Sequence, residues 1–387
     1  MNDTPLGRHM SSEMAEQPQV LARLVDRFDA IAEQVHAVAA RTGGLKGVAF
    51  LARGSSDNSA LLGRYAIEQR TGLPTSLVAP SIVTVYRKQP ELYRGWLLVA
   101  LSQSGRTPEI VDIAARYAEC GASVVAVTNN PDSALADVAE LHVDLGAGPE
   151  LAVPATKTVT SQMLAVLAIA AGLDDVAGAP DAGVGHSSTF AAGGAAAAHA
   201  VPGSAAAAQA AAASDSRSLS SAALAELPSY VAAILADSAS IERAVGKLAE
   251  HRRLAVVGRG ACYPAALETA LKLQETLGLM AHGFSSADFR HGPIAVCGPD
   301  APAVLLAGSG PADDDTRALR PELAERTASV IEFGTGPEAD AAWPALGTMA
   351  ECILATVRGQ QFALATAAYL GIDPDQPVGL NKVTLTH

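Results

Sequence analysis

WLLVALSQSGRTP, residues 96–108, is an apolar run followed without a spacer by small polar residues, a glycine and a proline. Consecutive apolar positions over Trp96–Leu101 suit a strand buried on both faces, and such strands belong to parallel sheets covered by helices. Pro108 suits the first position of a following helix. A strand that runs through a hydroxyl-rich turn into a helix offers free N–H groups and the positive end of a helix dipole at the carboxyl edge of the sheet. Open α/β sheets bind their ligands at that edge. Ser102, Gln103, Ser104 and Thr107 are therefore candidate ligands of a single anion.

The surrounding sequence repeats the pattern. Gly47–Leu51, Ser123–Thr128 and Leu141–Leu145 are further apolar runs alternating with helical patterns, and Thr156–Ala171 reads as a closing helix. This is the βαβ signature of a parallel sheet. Gly54-Ser55-Ser56-Asp57-Asn58-Ser59, after the first run, can bring a second set of hydroxyls to the same edge. Helical periodicity resumes over Leu224–Glu250, Leu254–Val257 reads as a strand, and a helix opens near Pro264. Leu51-Ala52-Arg53-Gly54-Ser55 and Val257-Gly258-Arg259-Gly260-Ala261 share Arg-Gly and the same strand-turn-helix context, so the second half restarts the first. Between them, residues 174–217 are rich in Ala, Gly, Ser, Pro and His and read as a linker or insertion. The expected organisation is a helical segment over 1–40, an α/β domain over 41–173, the linker over 174–217, a second α/β domain over 218–370 and a tail over 371–387.

Bulk properties narrow the function. The chain has 387 residues, enough for two cores. It has no apolar run suited to a bilayer, and its first twenty residues lack the apolar stretch of an export signal, so a cytoplasmic protein is expected. Cys120, Cys262, Cys297 and Cys352 are widely separated and suggest neither a zinc site nor a disulfide framework. A net charge of -13 disfavours nucleic acid as a partner. Neither G-x-x-x-x-G-K-[ST] nor G-x-G-x-x-G is present, which disfavours a nucleotide. Hydroxyls with no attendant lysine suit a terminal phosphate monoester on a small molecule.

These motifs carry a resemblance. Ser102-Gln103-Ser104-Gly105 resembles the phosphate loop of sugar isomerase (SIS) domains, Glu13-Met14-Ala15-Glu16-Gln17-Pro18 resembles the opening of the isomerase half of glucosamine-6-phosphate synthase, and Glu150–Thr158 (ELAVPATKT) resembles the stretch before its closing helix. The chain is thus similar to double SIS-domain isomerases and deaminases. The resemblance implies an α/β fold of two SIS domains, each a parallel sheet flanked by helices with flavodoxin-like topology. It implies substrate contacts at Gly54, Ser55, Ser56, Ser102, Gln103, Ser104, Thr107 and Val153. Ala270–Glu275 (ALKLQE) resembles the helix whose glutamate moves a proton between sugar carbons 1 and 2, which points to Glu275 with Lys272 as its neighbour. His291, in Asp288–Pro293, resembles the ring-opening histidine, often supplied by the partner of a dimer. Lys382 resembles the tail lysine that reaches the sugar. The family commonly has Glu where Asp288 stands.

These residue types suit one chemistry. An imidazole can move a proton to the ring oxygen, a positioned carboxylate can shift a proton between adjacent carbons, and a lysine can stabilise the enolate-like oxygen. No metal or organic cofactor is expected, and a homodimer is. Asn2 follows Met1, and only about 45 residues precede the first strand, too few for a glutaminase domain. The expected activity is therefore conversion of glucosamine 6-phosphate to fructose 6-phosphate and ammonia. Action on another sugar phosphate such as galactosamine 6-phosphate, simple aldose–ketose isomerisation, and a non-catalytic sensor of sugar phosphates are the alternatives. Arg106 stands where synthases often have Glu; it either strengthens anion binding or points to solvent. Ala155 replaces a hydroxyl residue.

Overall fold

The computed structural model describes residues 6–174, 176, 219–248, 251–327, 329–346, 348–380 and 382. The stretch expected as a linker therefore lies almost wholly outside the described residues.

Each half builds a five-stranded parallel sheet. The first contains β1 (Val48–Leu51), β2 (Thr75–Leu77), β3 (Leu97–Leu101), β4 (Ser123–Thr128) and β5 (Leu141–Asp144), in the order β2-β1-β3-β4-β5. The second contains β6 (Arg253–Gly258), β7 (Met280–Ser285), β8 (Ala303–Ala307), β9 (Val330–Gly334) and β10 (Ala341–Ala342), in the order β10-β9-β8-β6-β7. Read from its own first strand, the second sheet repeats the topology of the first. In both, the switch point lies where the first and third strands run side by side, and there the crevice at the carboxyl ends opens. The registers Val48↔Leu97 and Ala255↔Ala303 set those two pairs.

The central strands form because their residues are apolar on both faces. All five residues of β3 and of β8 are buried. β2 is different: it pairs with β1 alone, none of its three residues is buried, and its Thr-Ser start carries no apolar run. Sequence pattern therefore misses it.

Two helices carry the junction between the sheets. The closing helix of the first half, Lys157–Ala171, has every residue from Lys157 to Ala170 buried. It packs against the second closing helix, Thr348–Leu370, which in turn packs on Cys262–Leu277. A Cβ at Gly359 would lie 2.0 Å from Thr269 Oγ1, so that last crossing needs glycine. The periodicity over Leu224–Glu250 resolves into two helices, Leu227–Ala236 and Ser238–Leu248. They break at Asp237 (φ -88°, ψ 77°), whose carboxylate takes the buried Arg358 guanidinium at 3.0 Å. Among the described residues no helix is long and apolar enough to cross a membrane.

Candidate active site

The turn after β3 is shaped by its own small residues. Ser102 Oγ accepts the Gly105 N–H at 3.2 Å, and Ser104 Oγ accepts the Arg106 N–H at 3.3 Å. Gly105 adopts φ 63°, and a Cβ there would approach Ser133 Oγ to 2.3 Å, so the turn closes only around glycine. Pro108 opens the helix Pro108–Glu119 directly behind it. After β1, Gly54 (φ 58°, ψ -132°) turns the chain into the helix Ser55–Thr71.

These two turns form one side of a cavity of about 330 Å³. Gly54, Ser55 and Ser56 line it from the first turn, and Ser102, Gln103, Ser104 and Thr107 from the second. Val153 and Ala155 close another wall. The second half contributes Glu275, and the tail contributes Lys382.

Lys272 stands behind the wall rather than on it. It is fully buried on the helix Cys262–Leu277; its Nζ lies 3.4 Å from Glu268, donates to Ser55 Oγ at 3.1 Å, and makes a close contact with Glu275. Glu268 in turn accepts from Asn58 Nδ2 at 2.7 Å. The cluster thus crosses between the halves. Burial pushes the Glu268 carboxyl up despite the ammonium beside it. Burial alone pulls Lys272 down, but Glu268 and Glu275 outweigh it and hold the ammonium protonated above its ordinary range.

Glu150 organises a second polar cluster beside the cavity. Its side chain is wholly buried and accepts from Thr156 N at 3.0 Å, Thr158 N at 3.1 Å, Thr158 Oγ1 at 2.6 Å, Gln103 Nε2 at 3.4 Å and Lys382 Nζ at 3.2 Å. Lys382 also donates to Ala152 O at 2.6 Å. Glu13 accepts the N–H groups of Leu151 and Ala152, and burial raises its carboxyl. Glu16 pairs with Lys157 at 2.5 Å. The segments 13–18 and 150–158 and the tail, all flagged by motif, fasten to one another around the same cavity.

The tail is tied down further back. Asp373 accepts the Gly7 N–H at 2.9 Å, and Asp375 accepts those of His9 at 2.7 Å and Met10 at 2.9 Å, capping the helix Arg8–Asp26.

His291 is exposed on the turn after the short helix Ser286–Arg290 and does not line the cavity. Arg106 is exposed and does not line it either, so of the two alternatives the side chain points to solvent. Pattern reasoning missed Arg53, Thr158 and Gln162, which do line it. Gln162 is buried, and its Nε2 has no hydrogen-bond partner among the described residues. It sits on a helix that reads as uniformly buried core, so only the fold shows that one of its faces looks into a cavity. Among the described residues no group of three His, Cys, Asp or Glu side chains is arranged to hold a metal ion.

The family model described as SIS domain matches residues 46–172 and 247–342, which include both switch-point turns. The chain belongs to the SIS domain family. It is similar over 97% of its length, at 31% identity, to glutamine–fructose-6-phosphate aminotransferase [isomerizing] of Zymomonas mobilis, and spans 58% of that relative. Among solved structures, it shares its fold with the glucosamine-6-phosphate deaminase of Thermotoga maritima, at a TM-score of 0.72 and 20% identity, covering 98% of this chain and 100% of that one. It likewise shares its fold with the tagatose-6-phosphate ketose/aldose isomerase of Escherichia coli, at a TM-score of 0.74 and 19% identity over 96% of both chains. The SIS fold expected from the phosphate loop is thus the fold present, in two copies.

Proposed function

We propose that the chain is a phosphosugar isomerase whose reaction is the isomerising deamination of glucosamine 6-phosphate to fructose 6-phosphate and ammonia. The observation that carries this reading is a single cavity lined both by the hydroxyl-rich turn Ser102–Thr107 and by Glu275 and Lys382. A phosphate held by the turn leaves the sugar chain to run toward the carboxylate. The unpaired Gln162 Nε2 supports a polar occupant, because a buried donor without an acceptor costs about 1–3 kcal/mol until a ligand oxygen meets it.

On this reading Glu275 takes the proton from C2 of the ring-opened sugar and returns it to C1. The resulting C2 imine is hydrolysed by water, with release of ammonia. The Lys272 ammonium is paired with Glu275, and Lys382 faces the oxygen on C1 as charge builds there. Ring opening falls to His291, which in this arrangement comes from a second copy of the chain. Hydrolysis of the imine needs only water, whereas running the reaction backward needs ammonia as a second reactant. For that reason we take the deaminating direction.

The test is to incubate the protein with glucosamine 6-phosphate, galactosamine 6-phosphate and tagatose 6-phosphate, following ammonia and the ketose or aldose formed. Ammonia with fructose 6-phosphate from the first is the expected result. Aldose–ketose exchange without ammonia would replace deamination by simple isomerisation, and no turnover of any of the three would overturn the proposal.

A further inference from the structure

Arg53 stands two residues beyond the end of β1 and lines the same cavity as Ser102, Ser104 and Thr107. Its Nε and Nη2 both donate to Glu109 Oε2, at 3.2 and 2.9 Å, while Nη1 has no acceptor among the described residues. Glu109 is buried in the first turn of the helix Pro108–Glu119, immediately beyond the phosphate turn. Arg53 itself is half exposed, with 51% of its side chain accessible. Burial raises the carboxyl of Asp57, on the helix that follows, and the Arg53 charge opposes that rise.

This geometry poses a charge problem. A phosphate monoester carries about -1.5 to -2 near neutral pH, and the turn offers it only uncharged hydroxyls and N–H groups. The buried Glu109 carboxylate lies beside it, in a chain of net charge -13. One cation on the wall can both cancel Glu109 and meet the phosphate, and a guanidinium suits this because its fork can serve a carboxylate along one edge and a phosphate along another. We infer that Arg53 is a phosphate-binding residue of this site, held in place by Glu109, and that it makes the site selective for the phosphorylated sugar. The inference rests on the proposed phosphosugar function and adds to it the cation that the sequence pattern had left out.

The experiment is isothermal titration of the full chain with glucosamine 6-phosphate, inorganic phosphate and unphosphorylated glucosamine, for wild type, Arg53→Ala, Arg53→Lys and Glu109→Gln, with melting temperatures recorded for each. Arg53→Ala is expected to weaken phosphosugar and phosphate binding by roughly tenfold to a hundredfold, the worth of a charge-assisted hydrogen bond. Arg53→Lys should recover part of the loss. Glu109→Gln releases the guanidinium and should bind phosphate at least as tightly as wild type. Unchanged affinity in a folded Arg53→Ala would overturn the role of Arg53 while leaving the phosphosugar reading intact. Equal weakening in Arg53→Ala and Glu109→Gln would reduce the pair to a structural brace and overturn it too. Wild type that binds neither phosphate nor phosphosugar would remove both the role and the reading on which it rests.

Discussion

Glu275 is the only carboxylate among the described residues on the cavity wall, and it is 22% exposed while its partner Lys272 is buried. Glu275→Gln keeps the shape and removes the proposed base. Turnover should fall by at least about a hundredfold, the usual worth of a positioned base, while titration shows glucosamine 6-phosphate binding within a few-fold of wild type. Undiminished ammonia release would assign the base elsewhere. Spacing alone made Lys272 and Glu275 neighbours, because residues three apart share a helix face. It could not show that Ser55 meets Lys272, and Asn58 the neighbouring Glu268, from the other half, since those contacts exist only once both sheets are built. Asp313 links stability to pH. It is 3% exposed, and burial raises its carboxyl from 3.8 to about 6, assisted by Glu351 and opposed by the N–H groups of Gly308 and Gly310 and by Cys262. The folded protein then holds this proton more tightly than the unfolded chain does. Stability from this group is full below its ordinary value and is lost as the pH rises through about 6, a fall of about 3 kcal/mol. Asp313→Asn cannot titrate, so its stability relative to wild type should improve by that order between pH 3.5 and 7 in denaturant unfolding. A constant difference would show that Asp313 ionises alike in both states.

The elements that bear the two crevices share a topology but not an occupancy. The turn after β3 leaves its hydroxyls facing a cavity. After β8, in the equivalent place, the chain fills the position with its own carboxylates: Ser309 donates through N–H, at 2.7 Å, and through Oγ to Glu351, and Gly310 donates to Asp313 at 2.9 Å. A Cβ at Gly308 would lie 2.3 Å from Glu351 Oε2, which shows how closely that carboxylate seats in the turn. The donors an incoming phosphate would need there are already taken. Titration with glucosamine 6-phosphate should therefore give one site per chain, and two equivalent sites per chain would mean that the second turn opens. The Arg-Gly turns at 53–54 and 259–260 made the duplication legible. The different fate of the third-strand turns was not, because Glu351 reaches Ser309 from a helix 42 residues further on. Strands of two or three residues, β2 and β10, were hidden for another reason: they are too short to show a period.

The two halves share one interior. A single contiguous core holds Val48 and Val99 of the first sheet together with Val256 and Val304 of the second, joined through the buried closing helices. Polar contacts cross in the same region: Gln17 Nε2 donates to Gln360 Oε1 at 3.0 Å, and Gln360 Nε2 to Thr156 O at 3.2 Å. Two α/β patterns in a sequence read as two separable domains, because pattern reports each sheet's own faces and not which helices both sheets share. Removing either half would expose the apolar face of the other's closing helix and open the Glu268–Lys272–Glu275 cluster to water. The chain should therefore unfold in one calorimetric transition, with van't Hoff and calorimetric enthalpies in agreement. If the proposed function holds, glucosamine 6-phosphate at about 100 times its dissociation constant should raise the stability of that single transition by about 2.7 kcal/mol, since both halves line the cavity. Two transitions, with the ligand shifting one and leaving the other in place, would show that the halves unfold independently and that the shared core does not couple them.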